Sequence, residues 1–207
     1  MSGATRISLE GLARASVAVS VSAFYALFAW AHWVTFREHP RPSLAFIVPL
    51  EALLAGFLLA RRAPAGTSRA VWDWLVAIGG TLAPLFLRPA QGFSDRFPGE
   101  VIQAAGIVLA VLAVLSLNLS IGLVPAHRGV KTGGLYRCVR HPLYLSYTLA
   151  QIGYLASNFT FRNALIVVIA FALQLLRIAS EERFLSLYQE YRDYQARTRW
   201  RILPCLY

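Results

Sequence analysis

The sequence predicts an all-α fold, a polytopic bundle of transmembrane helices, and two observations lead to this class. Of the 207 residues, 57% are hydrophobic and only 14% are charged, whereas soluble domains carry about 25% charged residues. The apolar residues also form long continuous runs, which excludes a membrane β-barrel with its weak alternating pattern. We therefore expect five or six membrane-embedded helices, including a helical hairpin in the C-terminal half.

The apolar runs give the order of the helices. A span needs about 20 apolar residues to cross the hydrocarbon layer. Four such runs, separated by proline-containing or basic turns, are predicted to be spans: 12–36, 43–60, 70–87 and 101–124. Two shorter apolar runs, 143–156 and 163–178, predict a tight or partly re-entrant hairpin. We divide the chain into N-terminal transmembrane helices, 1–124, and a segment of motif loop, hairpin and cytosolic C-terminal helix, 125–207, which together form one membrane domain.

The net charge of +10 could indicate a nucleic-acid partner, but the positions of the charges argue against one. Most of the 20 Lys and Arg residues lie in segments that would share one side of the membrane, as the positive-inside rule expects. A smaller set remains for the other side: Arg37, Arg41, Arg88, Arg96 and Arg162. This distribution predicts a multi-pass protein with both termini in the cytoplasm, and the basic tail and overall character of the chain suggest a bacterial inner membrane.

A first polar cluster, GGLYRCVRHPLYLSY, covers residues 133–147. Gly133 and Gly134 permit a tight turn or a positive φ, and Pro142 can open a helix at its first turn. A helix N-terminus is a ready site for an anionic group, and Arg140 and His141 add charge and donors beside it. The plainer interpretation is a positive-inside loop followed by a proline-started helix.

A second polar cluster covers residues 177–204, RIASEERFLSLYQEYRDYQARTRWRILP. Glu181 and Glu182 lie at the end of an apolar helix, at the membrane boundary, where carboxylates are costly to desolvate. They can accept hydrogen bonds from a ligand's hydroxyls or amine, or Glu181 can simply pair with Arg177 one helical turn away. The tyrosines at positions 188, 191 and 194 form an aromatic edge, which is typical of an interfacial aromatic belt.

Four of the polar residues within the apolar runs carry a prediction. We expect His32, Asn118 and Gln174 to make hydrogen bonds between helices. Glu51 is a functional hypothesis by default, with a buried salt bridge or a protonated carboxyl as the competing interpretations. The two cysteines, Cys138 and Cys205, form neither a disulfide framework nor a metal set, and we predict no metal site.

The two clusters together resemble the isoprenylcysteine carboxyl methyltransferase family. These are integral-membrane enzymes that use S-adenosylmethionine. The resemblance starts near Leu117 and includes GLVPAHRGVKT, the arginine-histidine-proline segment, the glutamate pair, the Y-x-x-Y pattern and a terminal R-x-x-P. It covers roughly the last 90 residues; the first half matches only as generic membrane helices. This chain departs from many relatives at Cys205 and at Ser146-Tyr147, where glycines are common.

The resemblance implies roles for particular residues. It places the cofactor against one set: Tyr136, Arg140, His141, Pro142, Tyr144, Glu181 and Glu182. It makes Arg197 and Arg201, together with Glu182, the catalytic candidates, with the two arginines placing the acceptor. Tyr191 and Tyr194 are the candidates for binding the substrate.

The expected activity is therefore transfer of a methyl group from S-adenosylmethionine to a lipophilic acceptor. The acceptor is a prenylcysteine-like carboxylate or another lipid, and it enters from the bilayer while the cofactor enters from the cytosol. One alternative is an NADPH-dependent membrane reductase, because sterol reductases share a similar arginine-histidine-proline segment. Another is a non-enzymatic scaffold or transport protein that uses Glu51, although the paired broken helices of transporters are not seen.

Overall fold

A computed structural model describes residues 9–38, 40, 42–88, 90 and 97–204. It confirms an all-α bundle of the membrane type. The described residues form seven α-helices: α1 (Leu9–Glu38), α2 (Pro42–Ala60), α3 (Val71–Leu82), α4 (Phe97–Leu117), α5 (Pro142–Ser157), α6 (Phe161–Leu185) and α7 (Gln189–Arg197). The predictions that concern Arg41, Arg96, Cys205 and residues 91–96 of the polar loop lie outside the described residues.

Among the described residues, three segments are long and apolar enough to cross a membrane: Ala15–Glu38, Phe97–Ser120 and Phe161–Leu185. Two shorter apolar segments, Leu44–Ala60 and Val71–Phe86, accompany them. Large apolar side chains such as Trp30, Phe161 and Val168 are exposed on the outside of the bundle. A surface of this kind is stable against lipid rather than water, so the protein is an integral membrane protein.

The predicted hairpin is present, and both of its helices are longer than the apolar runs that predicted them. Pro142 opens α5 at its first position, as expected. Thr160 caps α6 by accepting a hydrogen bond from the Asn163 backbone N–H at 3.0 Å. Because α6 continues to Leu185, Glu181 and Glu182 lie in its C-terminal part, as expected.

The fourth span ends earlier than predicted. A 3₁₀ turn, Asn118–Ser120, follows α4, and Asn118 has a φ of 52°. Its side-chain Oδ1 accepts a hydrogen bond from the Leu119 N–H at 2.7 Å. The prediction of an interhelical bond for Asn118 is therefore wrong, because its short amide satisfies the backbone at the end of its own helix. Gln174 of α6 does bond across helices, to Thr148 and Gln151 of α5.

Contacts between the connecting segments show that the helices alternate in direction. The short strands β1 (Gly66–Thr67) and β2 (Ala126–His127) pair antiparallel, which joins the α2–α3 and α4–α5 connections at one end, here called the motif end. At the opposite end, the Asn163 side chain accepts from the Arg88 N–H and donates to its C=O. Asn158 Oδ1 accepts from the Ala90 N–H in the same region.

Small residues bring α4 and α5 unusually close together. A Cβ at Gly153 would lie 2.6 Å from the Gly99 carbonyl oxygen, and one at Gly106 would lie 2.9 Å from the Ala150 Cα. Close approach of this kind is the usual way for helices to associate in lipid. On the other face of α4, Ile107, Ala110 and Val114 pack with the leucines of α2. A cavity remains between these helices and α6.

Candidate functional site

The central feature of the bundle is a cavity of about 740 Å³. At the motif end, four parts of the chain line the cavity: the loop 120–131, the segment 133–144, the C-terminal turns of α6, and helix α7. It then extends along α2, α4 and α5 into the bundle, where Leu50, Leu54 and Ile107 are part of its wall. The cavity therefore connects a polar mouth with an apolar interior.

The C-terminal tail is bound along the arginine-histidine-proline segment. The Arg140 N–H donates to the Trp200 C=O at 2.9 Å, and the His141 N–H donates to the Arg201 C=O at 2.8 Å. The Arg140 Nη1 also donates to the carbonyls of Thr198 and Arg199, at 2.8 and 2.6 Å. This set of bonds fixes Arg140 from both its backbone and its side chain.

Glu182 is a buried carboxylate that accepts from three side chains. Its Oε1 accepts from Arg140 Nε at 2.7 Å and lies 3.2 Å from His141 Nε2, and its Oε2 accepts from Arg201 Nε at 2.8 Å. Buried charges of opposite sign are stable when their hydrogen bonds are satisfied in this way. Glu182 does not line the cavity, so in this geometry it acts by holding Arg140 and His141.

Glu181 has different surroundings from Glu182 and does line the cavity. Its Oε1 accepts from the Tyr144 hydroxyl, and its Oε2 lies 3.8 Å from His141 Nδ1. The simple pairing of Arg177 with Glu181 is not formed. Arg177 instead donates to the Leu123 carbonyl at 3.0 Å and lies over the Tyr144 ring, with its Cζ 5.3 Å from the centroid. Tertiary contacts have taken the place of the helical pair.

Three tyrosines form a buried aromatic cluster beside this cavity. Tyr136, in the turn Gly134–Arg137, packs with Tyr191 and Tyr194 of α7, and the Tyr194 hydroxyl donates to the Tyr136 carbonyl at 2.7 Å. The aromatic belt predicted for α7 is therefore wrong for Tyr191 and Tyr194, since both are buried against the motif loop. Burial raises the pKa of all three hydroxyls, which keeps them neutral donors.

Two buried polar atoms in the cavity wall lack a hydrogen-bond partner among the described residues. They are the Tyr191 hydroxyl and His127 Nδ1. The His127 ring stacks on Tyr188 with centroids 4.0 Å apart. Unpaired buried polar atoms are costly, so both atoms mark places where a ligand can supply the missing bond.

Sequence reasoning missed two cations in the wall at the motif end, Arg128 and Arg177. Arg128 is buried, and its Nε donates to the Arg62 carbonyl at 3.1 Å. Burial, with Arg61 nearby, lowers the pKa of its guanidinium to about 10. No described carboxylate forms an ion pair with Arg128. Arg128 was visible in the sequence as a basic residue in a connecting segment. Such residues are normally explained by the positive-inside rule, so it was not taken as a site residue.

The remaining predicted site residues do not reach the cavity wall. Pro142 is buried at the start of α5. Arg197 is exposed on α7, where its Nε donates to the Asp193 carbonyl at 3.3 Å. Arg201 contacts the site through Glu182. Of the predicted set, seven residues line the cavity: Tyr136, Arg140, His141, Tyr144, Glu181, Tyr191 and Tyr194.

The fold and the cavity define an integral-membrane protein with a polar cavity mouth and a mainly apolar interior. Residues 101–187, from α4 to just beyond α6, match the isoprenylcysteine carboxyl methyltransferase (ICMT) family. This match confirms the resemblance found in the motifs and supports a membrane methyltransferase as the general class. No curated protein matches the chain. The matched segment contains the arginine-histidine-proline motif and both glutamates, and it leaves out α1 to α3 and α7.

Proposed function

We propose that this protein is an S-adenosylmethionine-dependent methyltransferase that acts on a lipophilic acceptor. The observation that carries the proposal is the continuous cavity whose polar mouth is formed by the motif residues and whose interior is mainly apolar. The family match supports the same class of reaction. A soluble methyltransferase needs no such passage into the membrane, whereas an enzyme for a lipid acceptor does.

The residues at the mouth fit the polar groups of the cofactor. S-adenosylmethionine carries a carboxylate, an ammonium, ribose hydroxyls and an adenine ring. Arg128 has a buried positive charge suited to the carboxylate, and Glu181 has cavity-facing oxygens suited to the ammonium or hydroxyls. The unpaired Tyr191 hydroxyl and His127 Nδ1 supply two further bonds. The cluster of Tyr136, Tyr191 and Tyr194 offers apolar contact to the base.

The protein's contribution to the chemistry is positional. When bound, the cofactor supplies an electrophilic methyl group on its sulfonium. Aromatic faces such as that of Tyr144 favour a nearby cation by about 0.5–2 kcal/mol. Glu182 keeps Arg140 and His141 in place through the contacts already described. Holding the two reactants in near-attack geometry can account for most of the acceleration.

The acceptor occupies the apolar interior and reaches it from the bilayer. A carboxylate acceptor needs no base, whereas a phenol, thiol or amine must lose a proton. Glu181 is the cavity-lining carboxylate at the mouth and is the candidate base for such acceptors. We place the motif end on the cytosolic side, because the basic segments collect there, so that the cofactor enters from the cytoplasm.

The test is calorimetric titration of S-adenosylhomocysteine into the purified protein in lipid nanodiscs, with NADPH titrated in parallel. Saturable binding of S-adenosylhomocysteine alone is expected. His141→Ala removes a side chain of the cavity wall, and Glu182→Ala removes the carboxylate that holds Arg140 and His141. Each is expected to weaken binding by about tenfold or more. Asp193→Asn, an exposed carboxylate on α7, is the matched control. Binding of NADPH alone would replace the proposal with a membrane reductase.

A further inference from the structure

A second polar group lies in the cavity wall, outside the segment that matches the family. His32 of α1 donates from Nδ1 to Glu51 Oε2 of α2 at 2.8 Å. Both residues line the cavity that also contains Arg140 and Glu181. A carboxylate inside a membrane-spanning bundle carries a desolvation cost. Packing alone therefore does not explain why a carboxylate, Glu51, lies in the wall of this cavity.

Joining α1 to α2 does not explain the whole geometry of this pair. An interhelical hydrogen bond that serves only as an attachment would be enclosed between the helices. Here the side chains remain 31% exposed for His32 and 13% exposed for Glu51. Within the described residues, Glu51 Oε1 and His32 Nε2 have no hydrogen-bond partner. The pair therefore presents a free carboxylate acceptor, Glu51 Oε1, and the second ring nitrogen of His32 to the cavity.

The pair lies far from the motif end. Glu51 precedes the last residue of α2, Ala60, by nine positions, which is about 14 Å along the helix axis. Tyr25 of α1 also lines the cavity. Apolar side chains, Leu50 and Leu54 among them, form much of the wall, which also contains the amides of Gln103 and Gln174. The cavity thus has a polar group at each end and a mainly apolar middle.

We propose that His32 and Glu51 form a distal subsite that binds a hydrogen-bond-donating group, a hydroxyl or an ammonium, at the far end of the acceptor. This inference rests on the proposed function, because it assumes that the acceptor fills the cavity. An acceptor with a purely apolar tail would leave the Glu51 carboxylate against hydrocarbon, at the cost of an unpaired polar group. Such a site selects against simple apolar tails and for chains that are polar at both ends.

The experiment compares three probes of equal chain length: dodecanoic acid, ω-hydroxydodecanoic acid and ω-aminododecanoic acid. Each is titrated into the protein in nanodiscs at saturating S-adenosylhomocysteine. The readout is the affinity ratio of each ω-substituted acid to dodecanoic acid, compared between wild type and variants, so that differences in lipid partitioning cancel. If the subsite forms one hydrogen bond, wild type is expected to bind at least one ω-substituted acid about fivefold more tightly than dodecanoic acid.

Two substitutions of Glu51 test whether the subsite binds a hydroxyl or an ammonium group. Glu51→Leu removes both carboxylate oxygens and is expected to abolish the preference for either substituted acid. Glu51→Gln keeps an acceptor without charge, so a preference for the hydroxyl survives it and a preference for the ammonium does not. Glu38→Leu, at the exposed end of α1, is the matched control and should retain the wild-type ratios.

Failure of this inference can be separated from failure of the proposed function. S-adenosylhomocysteine binding is measured first on every variant. Its affinity is expected to stay within about twofold of wild type, because the Glu51 substitutions remove a hydrogen-bonding group away from the proposed cofactor site. If wild type does not bind it, the proposed function is lost. If wild type binds it but the three acids bind equally, or none binds, or the preference persists in Glu51→Leu, only the distal subsite is overturned.

Discussion

Glu181 and Glu182 are neighbours in the chain, yet their side chains do different things. Glu182 points toward the C-terminal tail and accepts from Arg140 and Arg201. Glu181 points into the cavity, where the Tyr144 hydroxyl donates to it. Adjacent helical residues differ by about 100° around the axis, so one can contact a ligand while the other stabilises the residues around that ligand.

Tyr191 and Tyr194 provide a residue-scale test of the cofactor site. The Tyr191 hydroxyl has no partner among the described residues, whereas the Tyr194 hydroxyl donates to the Tyr136 carbonyl. Tyr191→Phe is expected to leave the unfolding temperature unchanged or raised and to weaken S-adenosylhomocysteine binding about threefold or more, as expected for one lost hydrogen bond. Calorimetry and thermal unfolding of the same sample measure the two effects.

Tyr194→Phe is the matched control, and it should behave differently. Loss of a buried hydrogen bond within the protein is expected to lower stability by about 1 kcal/mol. If Tyr191→Phe lowers stability as much as Tyr194→Phe and leaves binding intact, the Tyr191 hydroxyl is structural and is not part of the cofactor site.

At the scale of elements, the α4–α5 pair determines where the motif lies. Gly99, Gly106 and Gly153 allow the two backbones to touch, and α5 starts with Pro142, directly after His141. The position of α5 against α4 therefore sets the position of His141 at the mouth of the cavity. A larger side chain at this contact would therefore move α5 and with it His141.

Gly153→Ala tests this contact. The new Cβ would lie 2.6 Å from the Gly99 carbonyl oxygen and 2.7 Å from the Gln103 Cα, and backbone atoms cannot yield without moving a helix. A loss of about 1–3 kcal/mol is expected, the usual cost of overpacking, and tryptophan fluorescence during thermal unfolding would measure it. In α2, a Cβ at Gly56 would meet nothing within 4 Å, so Gly56→Ala should unfold like wild type. Equal behaviour of the two variants would contradict the close packing.

At the scale of the whole molecule, the first six helices of the described part of the chain alternate in direction, and α7 lies at the motif end. The pairing of β1 with β2 and the contact of His127 with Glu190 of α7 place the motif, the α2–α3 connection and the C-terminal helix together. All the polar cofactor candidates therefore lie at one end of the bundle. The positive-inside rule predicts that this end is cytoplasmic.

Cys138 provides the test of this orientation, because it is exposed at the motif end. In a Cys205→Ser background, a membrane-impermeant maleimide is expected to label Cys138 in inverted membrane vesicles and not in intact spheroplasts. Phe159→Cys, made in a background without native cysteines, places a thiol at the opposite end, where Phe159 is exposed, and should show the reverse pattern. Labelling of Cys138 in intact spheroplasts would show that the motif end faces the outside, opposite to the proposed orientation.

The amino-acid sequence determined the fold class, the polar clusters and the family resemblance. Apolar runs of spanning length have few stable alternatives to helices in lipid, and local rules also explain why Pro142 opens α5 and why Gly134 adopts a φ of 57°. The C-terminal end of α4 was misjudged, because residues 121–124 are apolar yet belong to the cavity loop.

Only the tertiary structure decided which side chains meet. Periodicity indicates which face of a helix is apolar but not which helix that face contacts. It therefore could not show that Glu182 would bind Arg140 and Arg201, that Tyr191 and Tyr194 would be buried against Tyr136, or that His32 would reach Glu51. These contacts join residues far apart in the chain, and they exist because the packing of α4 on α5 and of the tail on the motif leaves one shared cavity.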